Sequence, residues 1–436
     1  MTTMTVGAYP AVAGRRAIEA LRAGVPSRDA VAATGSGQAA IEDRFASLRE
    51  AAAAGNPAGL LLGGGFGVGK SHLLEHLARL ALETGFTVSR VVISKETPLH
   101  DTAKVFAAAA ESAVTAGRPR PAIVEASAAV DADGRGYAEL LRWATSTGSG
   151  LNERFAATLA LFAQVRQRDA AFANTIVRFW SGDPIATPEL RRRLKEFGDA
   201  RPSLAPVAAR QLGGQRLRFA AKLLTAAGSA GWVIFFDEVE LIGRYSLQQR
   251  AKSYAEIACW VRGEHGGPGV PIAAVLAMTD DFEAAVITGR NDRELVPEKL
   301  RAKQTPEATA LAAAAAQGMR IIDREMQLLT PPDEVELTQA YARLKELHGE
   351  VFGWLPPDVS GLERLGATRM RQYVRTWINE WDLLRLDPSY RPETEVADIS
   401  SDYRENPDLE TNGDDVAPDS QRPCREHPAG SAPMPR

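Results

Sequence analysis

The stretch GLLLGGGFGVGKS, residues 59–71, decides the fold class of this protein. It begins with a short apolar run bounded by glycines, which is typical of a buried strand, and continues through a glycine-rich turn. The residues that follow, 71–84, place leucines on one side of a helix, and residues 86–93, rich in Val and Ile, indicate a second strand. A strand, a loop, a helix and another strand in this order predict the opening of a parallel α/β sheet.

The turn itself, GGFGVGKS at residues 64–71, matches the phosphate-binding pattern G-x-x-x-x-G-K-[ST] at every fixed position. Glycines let the backbone approach phosphate oxygens closely, and the next helix directs its positive N-terminal end at the same anion. Lys70 would reach the β- and γ-phosphates as a point charge, and Ser71 would ligate Mg²⁺. We therefore predict bound ATP and Mg²⁺, with nucleotide contacts from Gly64, Gly65, Phe66, Gly67, Val68, Gly69, Lys70, Ser71 and His72.

Another apolar strand ends in two adjacent carboxylates, in the run VIFFDE at residues 233–238. Ligands of parallel sheets bind at the carboxyl ends of the strands, so both side chains are expected at the nucleotide. Asp237 is predicted to hold Mg²⁺, and Glu238 is placed to polarise the attacking water as a general base. The presence of Glu238 favours a hydrolytic ATPase over a GTPase. It also argues against a small-molecule kinase, because it suggests water as the nucleophile.

A further apolar strand, residues 271–277, is followed by the polar residue Thr279. A hydroxyl at this edge of the sheet can contact the γ-phosphate or the attacking water, which makes Thr279 a catalytic candidate beside Lys70 and Glu238. Asp280 is the alternative at the same strand end. Thr279 as the N-cap of a following helix is an equally good interpretation of the same residue.

Five arginines after this strand are candidates for completing the site. An arginine from a neighbouring subunit stabilises transition-state charge in many NTPases, and Arg290 and Arg301 lie in a polar stretch suited to that role. Arg369, Arg371 and Arg375 lie on a later predicted helix, from which they would contact the γ-phosphate of their own subunit. Solvated arginines are common on helices, so a surface role is the stronger interpretation for each one taken singly.

The rest of the chain predicts a three-layer α/β/α P-loop fold with a parallel sheet and helical additions. The predicted parts are an N-terminal helical segment at 1–54, the P-loop ATPase domain at 55–304 with a helical insertion at about 100–230, a C-terminal helical lid or winged-helix region at 305–388, and a disordered tail at 389–436. The tail is rich in Pro, Asp, Glu and Ser, so it cannot bury enough apolar surface to fold. Its removal is expected to leave folding and ATP binding intact.

Composition places the chain among ordinary globular proteins. It has 436 residues, 45% of them apolar and 24% charged, and a net charge of −4. This charge gives no reason to expect general affinity for nucleic acids or membranes. The two cysteines, Cys259 and Cys424, do not indicate a disulfide framework, and neither a signal peptide nor a membrane-spanning apolar run is apparent. A cytoplasmic location is the expectation.

Three stretches besides the P-loop give the chain a family resemblance: RRAIEALRAGVP at 15–26, VVISKETPL at 91–99 and FFDEVE at 235–240. With the P-loop, they resemble the ATP-binding proteins of BREX phage-defence systems, the BrxC/BrxD family, and the length is similar to that of BrxD. The resemblance implies an AAA+-like ATPase in a multi-protein system that blocks phage DNA. It also implies other defence proteins as partners, and a lid with a sensor arginine within residues 369–375. Double-stranded DNA and further copies of the same chain, in a homo-oligomer, are additional expected partners.

Two classes of function remain open at this point. In the first, the protein is a motor or remodelling ATPase that acts on DNA or on a DNA-bound complex. In the second, it is a nucleotide switch that binds ATP to assemble partners and turns over slowly. DNA-stimulated hydrolysis, together with DNA binding that depends steeply on salt, would indicate the first class. Assembly that survives the loss of Glu238 would indicate the second.

Overall fold

A five-stranded sheet lies at the centre of the protein. The structure of the protein is a computed structural model, which describes residues 11–118, 121–197, 204, 207–359, 370–391, 403, 404 and 406. The strands are β1 (Ala58–Gly63), β2 (Thr87–Val92), β3 (Trp232–Asp237), β4 (Ile272–Met278) and β5 (Gln327–Leu328). They are all parallel and follow the order β2-β3-β4-β1-β5, which confirms the parallel sheet predicted from the sequence.

Apolar side chains align across the sheet and bury both of its faces. The register places Val91 opposite Phe236, Phe236 opposite Leu276, and Leu276 opposite Leu61. These four side chains are buried in one hydrophobic core. The alternate positions, such as Phe235, point to the other face and join a second core. The three-layer α/β/α architecture that the sequence predicts is therefore confirmed.

Helices form the two outer layers. One face of the sheet is covered by α3 (Ala39–Ala53) and α4 (Lys70–Glu83). The opposite face is covered by α5 (Thr102–Ser112), α11 (Gly213–Ala226), α12 (Leu247–Val261) and α14 (Pro306–Arg324). A shorter helix, α13 (Asp292–Arg301), packs against α14.

The long segment between β2 and β3 is helical, and five of its helices lie beyond the layer next to the sheet. They are α6 (Ala122–Ala129), α7 (Arg135–Thr145), α8 (Glu153–Val165), α9 (Ala170–Ser181) and α10 (Thr187–Glu196). The sequence alone indicates continuous helical density over residues 154–180, and the structure divides it into α8 and α9. Asp169 causes the division, because its carboxylate accepts a hydrogen bond from the Phe172 amide at 3.0 Å and so caps a new helix.

The first and last helices of the structure pack together. They are α1 (Ala11–Ala23), α2 (Arg28–Thr34), α15 (Glu334–Phe352) and α16 (Met370–Leu386). Their shared hydrophobic core includes Ile18, Trp377 and Trp381. Arg22 of α1 also pairs with Asp382 of α16, with 2.6 Å between Nη2 and Oδ2. Two segments that are far apart in the sequence thus form one helical unit.

The short strand β5 lies inside the span 305–388, which the sequence indicates as helical. It pairs with the end of β1, with Gln327 opposite Leu62. The chain therefore returns to the sheet after α14 before it forms α15. A two-residue strand is too short to show a period of its own in the sequence.

Part of the predicted C-terminal tail, 389–436, belongs to the structure. Residues 389–391, 403, 404 and 406 are described, and the rest of the tail, with Cys424, lies outside the described residues. Cys259 is a free cysteine in α12. Among the described segments, no helix is both long enough and apolar enough to cross a membrane.

Candidate nucleotide site

The predicted P-loop joins β1 to α4 and turns sharply at two glycines. Gly67 and Gly69 have φ angles of 79° and 117°, in the left-handed region that residues with a Cβ rarely occupy. Gly69 immediately precedes α4, whose first residue is Lys70. The amide of Gly64 donates to the carbonyl of Met278, at the end of β4, at 3.2 Å. The loop is therefore tied to two adjacent strands, and the amino end of α4 faces the turn.

Lys70 lies folded over the loop. Its Nζ donates to the carbonyl oxygens of Gly64 at 2.6 Å and Gly65 at 3.2 Å. The same atom lies 5.7 Å from the ring centroid of Phe66, a residue that is 42% exposed. Carbonyl dipoles and a ring face stabilise the cation without neutralising its charge. A phosphate group at this loop would draw Nζ away from the two carbonyls.

Asp237, the last residue of β3, is buried and held from two sides. Its Oδ2 accepts from Nη2 of Arg90 at 2.6 Å, and its Oδ1 accepts from the amide of Glu238 at 3.0 Å. Arg90 belongs to the neighbouring strand β2, and its Nη1 lies 3.6 Å from Oε2 of Glu75 on α4. The motifs in the sequence did not identify Arg90. A lone charged residue within the strand 87–92 is the signal that could have done so.

Two glutamates after β3 lie in different environments. Glu238 is exposed and has a φ of 60°, a left-handed conformation that is uncommon for residues other than glycine. Glu240 is buried, and this burial raises the pKa of its carboxyl to about 7, although the charge of Lys70 opposes the rise. No described residue donates a hydrogen bond to its Oε2. Glu238 is therefore the carboxylate that solvent reaches, and Glu240 is a titratable group that the sequence motifs did not identify.

The end of β4 presents two polar side chains in different directions. A methyl group at Gly65 would lie 3.9 Å from Oδ1 of Asp280, so this carboxylate faces the P-loop. The hydroxyl of Thr279 instead contacts the hydroxyl of Tyr403 and does not cap the turn that follows. Of the two candidates at this strand end, Asp280 lies next to the loop and Thr279 faces the C-terminal segment.

A cavity of about 330 Å³ opens beside the P-loop. It lies between the start of α4 and the helical unit formed by the N-terminal and C-terminal helices. Both apolar and polar side chains line it, which suits a nucleobase and a sugar next to a phosphate loop. The lining includes Val25, Thr34, Val68, Gly69, His72, Arg343, Arg371 and Val374.

His72 connects the P-loop helix to the N-terminal helices. Its Nε2 lies 2.8 Å from the carbonyl oxygen of Gly35 and 3.1 Å from Oγ1 of Thr34. Burial lowers the pKa of this imidazole, so the ring is neutral at pH 7. The structure thus places His72, predicted as a nucleotide contact, in the cavity wall and against the end of α2.

The start of α16 reaches the P-loop. The amide of Arg371 donates to the carbonyl of Gly67 at the long distance of 3.5 Å, and the residue also lines the cavity. A methyl group at Gly24 would lie 3.4 Å from Cδ of both Arg371 and Arg375, so both side chains pack against the turn after α1. Arg369 lies outside the described residues. Of the predicted lid arginines, Arg371 is the one that meets both the loop and the cavity.

The two arginines predicted to act on a neighbouring subunit are placed differently. Arg290 donates from Nη2 to the carbonyl oxygen of Tyr403, close to the end of β4. Arg301 is the last residue of α13 and is exposed. Neither of them lines the cavity. A role in a neighbouring subunit therefore stays a prediction for both.

Comparison with known proteins bears on the N-terminal third of the chain. No curated protein and no solved structure matches the sequence. A family model matches residues 11–130, a segment that holds α1, α2, the whole P-loop and Arg90 but ends before Asp237. This segment, with its glycine-rich loop and one wall of the cavity, is similar to the family described as BREX system ATP-binding protein BrxC/D.

Proposed function

We propose that this protein binds ATP together with Mg²⁺ and hydrolyses it. The observation that carries the proposal is the meeting of the P-loop, Asp237 and Glu238 at one edge of a parallel sheet. Ligands bind at this edge because the strand ends and helix N-termini converge there. One strand, β4, separates β1 from β3 and contributes Thr279 and Asp280 between the phosphate loop and the acidic pair.

The residues fit a magnesium nucleotide. Asp237 is buried and already accepts from a cationic side chain, that of Arg90, so this position stabilises positive charge. Asp237 and Ser71 would hold Mg²⁺ through oxygen atoms, the ligands that this ion prefers. When bound, the ion neutralises charge that develops on the phosphates. Lys70 would bind the β- and γ-phosphates, and Glu238, which solvent reaches, would polarise the attacking water.

The cavity beside Gly69 is the proposed place of the adenosine. Its volume of about 330 Å³ falls in the size range of small-molecule sites. Val25 and Val374 offer apolar contact to a base, and Thr34 offers a hydroxyl. Arg371, which lines the same cavity and contacts the P-loop through its amide, is then the proposed cis arginine for the phosphates.

The proposed setting is a bacterial phage-defence system of the BREX type. The family match over residues 11–130 supports this setting, because its description names an ATP-binding protein of that system. In this setting the protein would work in the cytoplasm, as a homo-oligomer with other defence proteins, on DNA or on a DNA-bound complex. The net charge of −4 means that DNA contact would depend on a local basic surface and would weaken with salt.

An ATP-dependent assembly switch with slow turnover is the second candidate. Two observations favour it: Lys70 is held by the loop carbonyls, and the hydroxyl of Thr279 is held by Tyr403. Both groups would have to change partners before they could contact a γ-phosphate. A protein built in this way would turn over slowly until a partner rearranged the site.

Steady-state ATP hydrolysis with and without duplex DNA tests the proposal. We expect Glu238→Gln to bind ATP normally and to lower kcat by about 10²- to 10⁴-fold, the usual contribution of a general base. Lys70→Ala should weaken ATP binding by about 10- to 100-fold, because a charge-assisted contact is lost. Glu139→Gln, on an exposed face of α7, serves as the control for removing a carboxylate and should match the wild type.

The outcomes separate the two candidates. DNA-accelerated hydrolysis that Glu238→Gln abolishes would support the motor or remodelling function. Tight ATP binding with negligible hydrolysis in every condition would support the switch. Unchanged ATP affinity in Lys70→Ala would refute the assignment of the P-loop itself.

A further inference from the structure

A residue beyond α16, Tyr403, docks at the end of β4. Its hydroxyl donates to Oδ1 of Asp281 at 2.6 Å and also contacts the hydroxyl of Thr279. Its ring lies edge-on to the ring of Phe282, with 5.9 Å between the centroids. A methyl group at Gly243 would lie 3.1 Å from Cδ1 of Tyr403. The ring is therefore packed between the turn after β3 and the turn after β4.

Backbone groups of Tyr403 and Asn406 also form hydrogen bonds with this part of the protein. Nη2 of Arg290 donates to the carbonyl oxygen of Tyr403. The amide of Asn406 donates to the carbonyl oxygen of Arg244 at 3.0 Å. Main-chain and side-chain contacts together therefore hold Tyr403 and Asn406 against the turns that follow β3 and β4.

The hydrogen bonds at Thr279 can have only one direction. A carboxylate oxygen accepts, so Tyr403 gives its single proton to Asp281. The oxygen of Tyr403 then accepts from Thr279, which uses the single hydroxyl proton of Thr279. While Tyr403 is docked, Thr279 has no proton left to donate to a γ-phosphate oxygen.

We propose that docked Tyr403 is an autoinhibitory latch on ATP hydrolysis. The proposal rests on the ATPase function proposed above and concerns the regulation of the same site. One residue of the C-terminal segment engages both Thr279 and Arg290, the groups after β4 predicted to act at the γ-phosphate of their own or a neighbouring subunit. When Tyr403 is released, the hydroxyl of Thr279 can donate its proton to another acceptor, and Arg290 loses one of its hydrogen-bond acceptors. Tyr403 thus controls the rate of the chemical step, whereas the cavity, whose lining includes neither Tyr403 nor Thr279, keeps its affinity for the nucleotide.

The full-length variant Tyr403→Phe tests the latch directly. The phenyl ring keeps the packing on Phe282 and Gly243 but can neither donate to Asp281 nor accept from Thr279. We expect kcat to rise by about 2- to 10-fold, the equivalent of one neutral hydrogen bond. KM and the affinity for a fluorescent ATP analogue should not change. Tyr390→Phe, the same chemical change in the same C-terminal stretch, is the control and should match the wild type.

Limited trypsin digestion provides a second measurement that does not depend on hydrolysis. Arg404 is exposed and directly follows the docked Tyr403, so we expect release of Tyr403 to speed cleavage after Arg404. In the absence of nucleotide, we expect this cleavage to be faster in Tyr403→Phe than in the wild type and in Tyr390→Phe.

The possible results are distinguishable. An unchanged kcat together with unchanged cleavage after Arg404 would overturn the latch. A lower kcat in Tyr403→Phe would also overturn it, because the hydroxyl would then support catalysis through Thr279 instead of restraining it. A wild-type protein that binds no ATP would instead refute the proposed function, and the equilibrium binding assay shows that failure separately.

Discussion

At the scale of single residues, the pairing of Asp237 with Arg90 matters most for the proposed chemistry. The side chain of Asp237 is 6% exposed and that of Arg90 is 34% exposed. A buried carboxylate is costly without a counter-ion, so Arg90 stabilises the folded protein before any metal binds. Mg²⁺ would offer the same carboxylate a second counter-ion. The residue predicted to hold the metal thus also has a structural role that the motif does not reveal.

The variant Arg90→Met tests this pairing. Methionine keeps much of the apolar stem of arginine but leaves Asp237 without its cation. We expect the free energy of unfolding to fall by about 1–3 kcal/mol, less than for a fully buried pair because Arg90 is partly exposed. Urea denaturation measures this loss, and saturating Mg·ATP should reduce the difference from the wild type.

Arg135→Met is the matched control for this prediction. Arg135 pairs with Glu139, but its side chain is 91% exposed. An exposed pair one helical turn apart contributes little to stability because water screens it, so the free energy of unfolding of Arg135→Met should stay close to that of the wild type. If Arg90→Met and Arg135→Met lost the same free energy of unfolding, the burial of Asp237 would not explain the destabilisation by Arg90→Met.

At the scale of secondary-structure elements, the contact between α12 and α14 depends on a glycine. A methyl group at Gly318 of α14 would lie 1.8 Å from the carbonyl oxygen of Tyr254 in α12. The atom it would meet belongs to the backbone, so no side-chain rotation can relieve the overlap. The two helices can approach this closely only because residue 318 has no side chain.

Gly318→Ala is therefore expected to push the two helices apart. We expect a loss of about 1–3 kcal/mol in the free energy of unfolding, the usual effect of overpacking a core. Gly214→Ala in α11 is the matched control, because its methyl group would meet nothing within 4 Å. That variant should be unchanged or gain about 0.5 kcal/mol from the higher helix propensity of alanine. Urea denaturation of both variants measures the difference, and a Gly318→Ala protein as stable as the control would contradict this account.

At the scale of the whole molecule, helices from the two ends of the chain enclose the proposed adenosine cavity. Ile18 of α1 is fully buried in the core that it shares with Trp377 and Trp381 of α16. The cavity is lined from both helices, by Leu21 on one side and by Val374 on the other. Packing of α1 against α16 is therefore expected to set the shape of the proposed nucleotide pocket.

The variant Ile18→Ala tests this dependence. Removal of a buried isoleucine side chain is expected to cost about 2–5 kcal/mol, and ATP should bind less tightly because both walls lose support. Val12→Ala in the same helix is the control, since Val12 is 65% exposed. Tryptophan fluorescence reports unfolding, and titration with a fluorescent ATP analogue reports affinity. If the Ile18→Ala protein were destabilised but bound ATP normally, the shape of the pocket would not depend on the packing of α1 against α16.

Much of the fold could be predicted from the sequence because the decisive signals are local. The apolar runs of β1, β3 and β4 and the glycine turn between β1 and α4 are each contained in a few consecutive residues. Their order alone predicts a parallel sheet, since parallel strands need helical crossovers. The strand β5 was missed because two residues carry no period, and the break at Asp169 was missed because a capping carboxylate looks like any other acidic residue.

The sequence by itself determined the glycine-rich turn at residues 64–71, the acidic pair Asp237 and Glu238, and the α/β class, because these depend on neighbours in the chain. Only the tertiary structure decided which side chains surround them. Arg90 on β2 contacts Asp237 on the neighbouring strand β3. Asp280 rather than Thr279 faces the loop. Tyr403 docks on a turn more than a hundred residues earlier in the chain. Such contacts arise when distant segments are brought together by burial of apolar surface, and no local pattern encodes them.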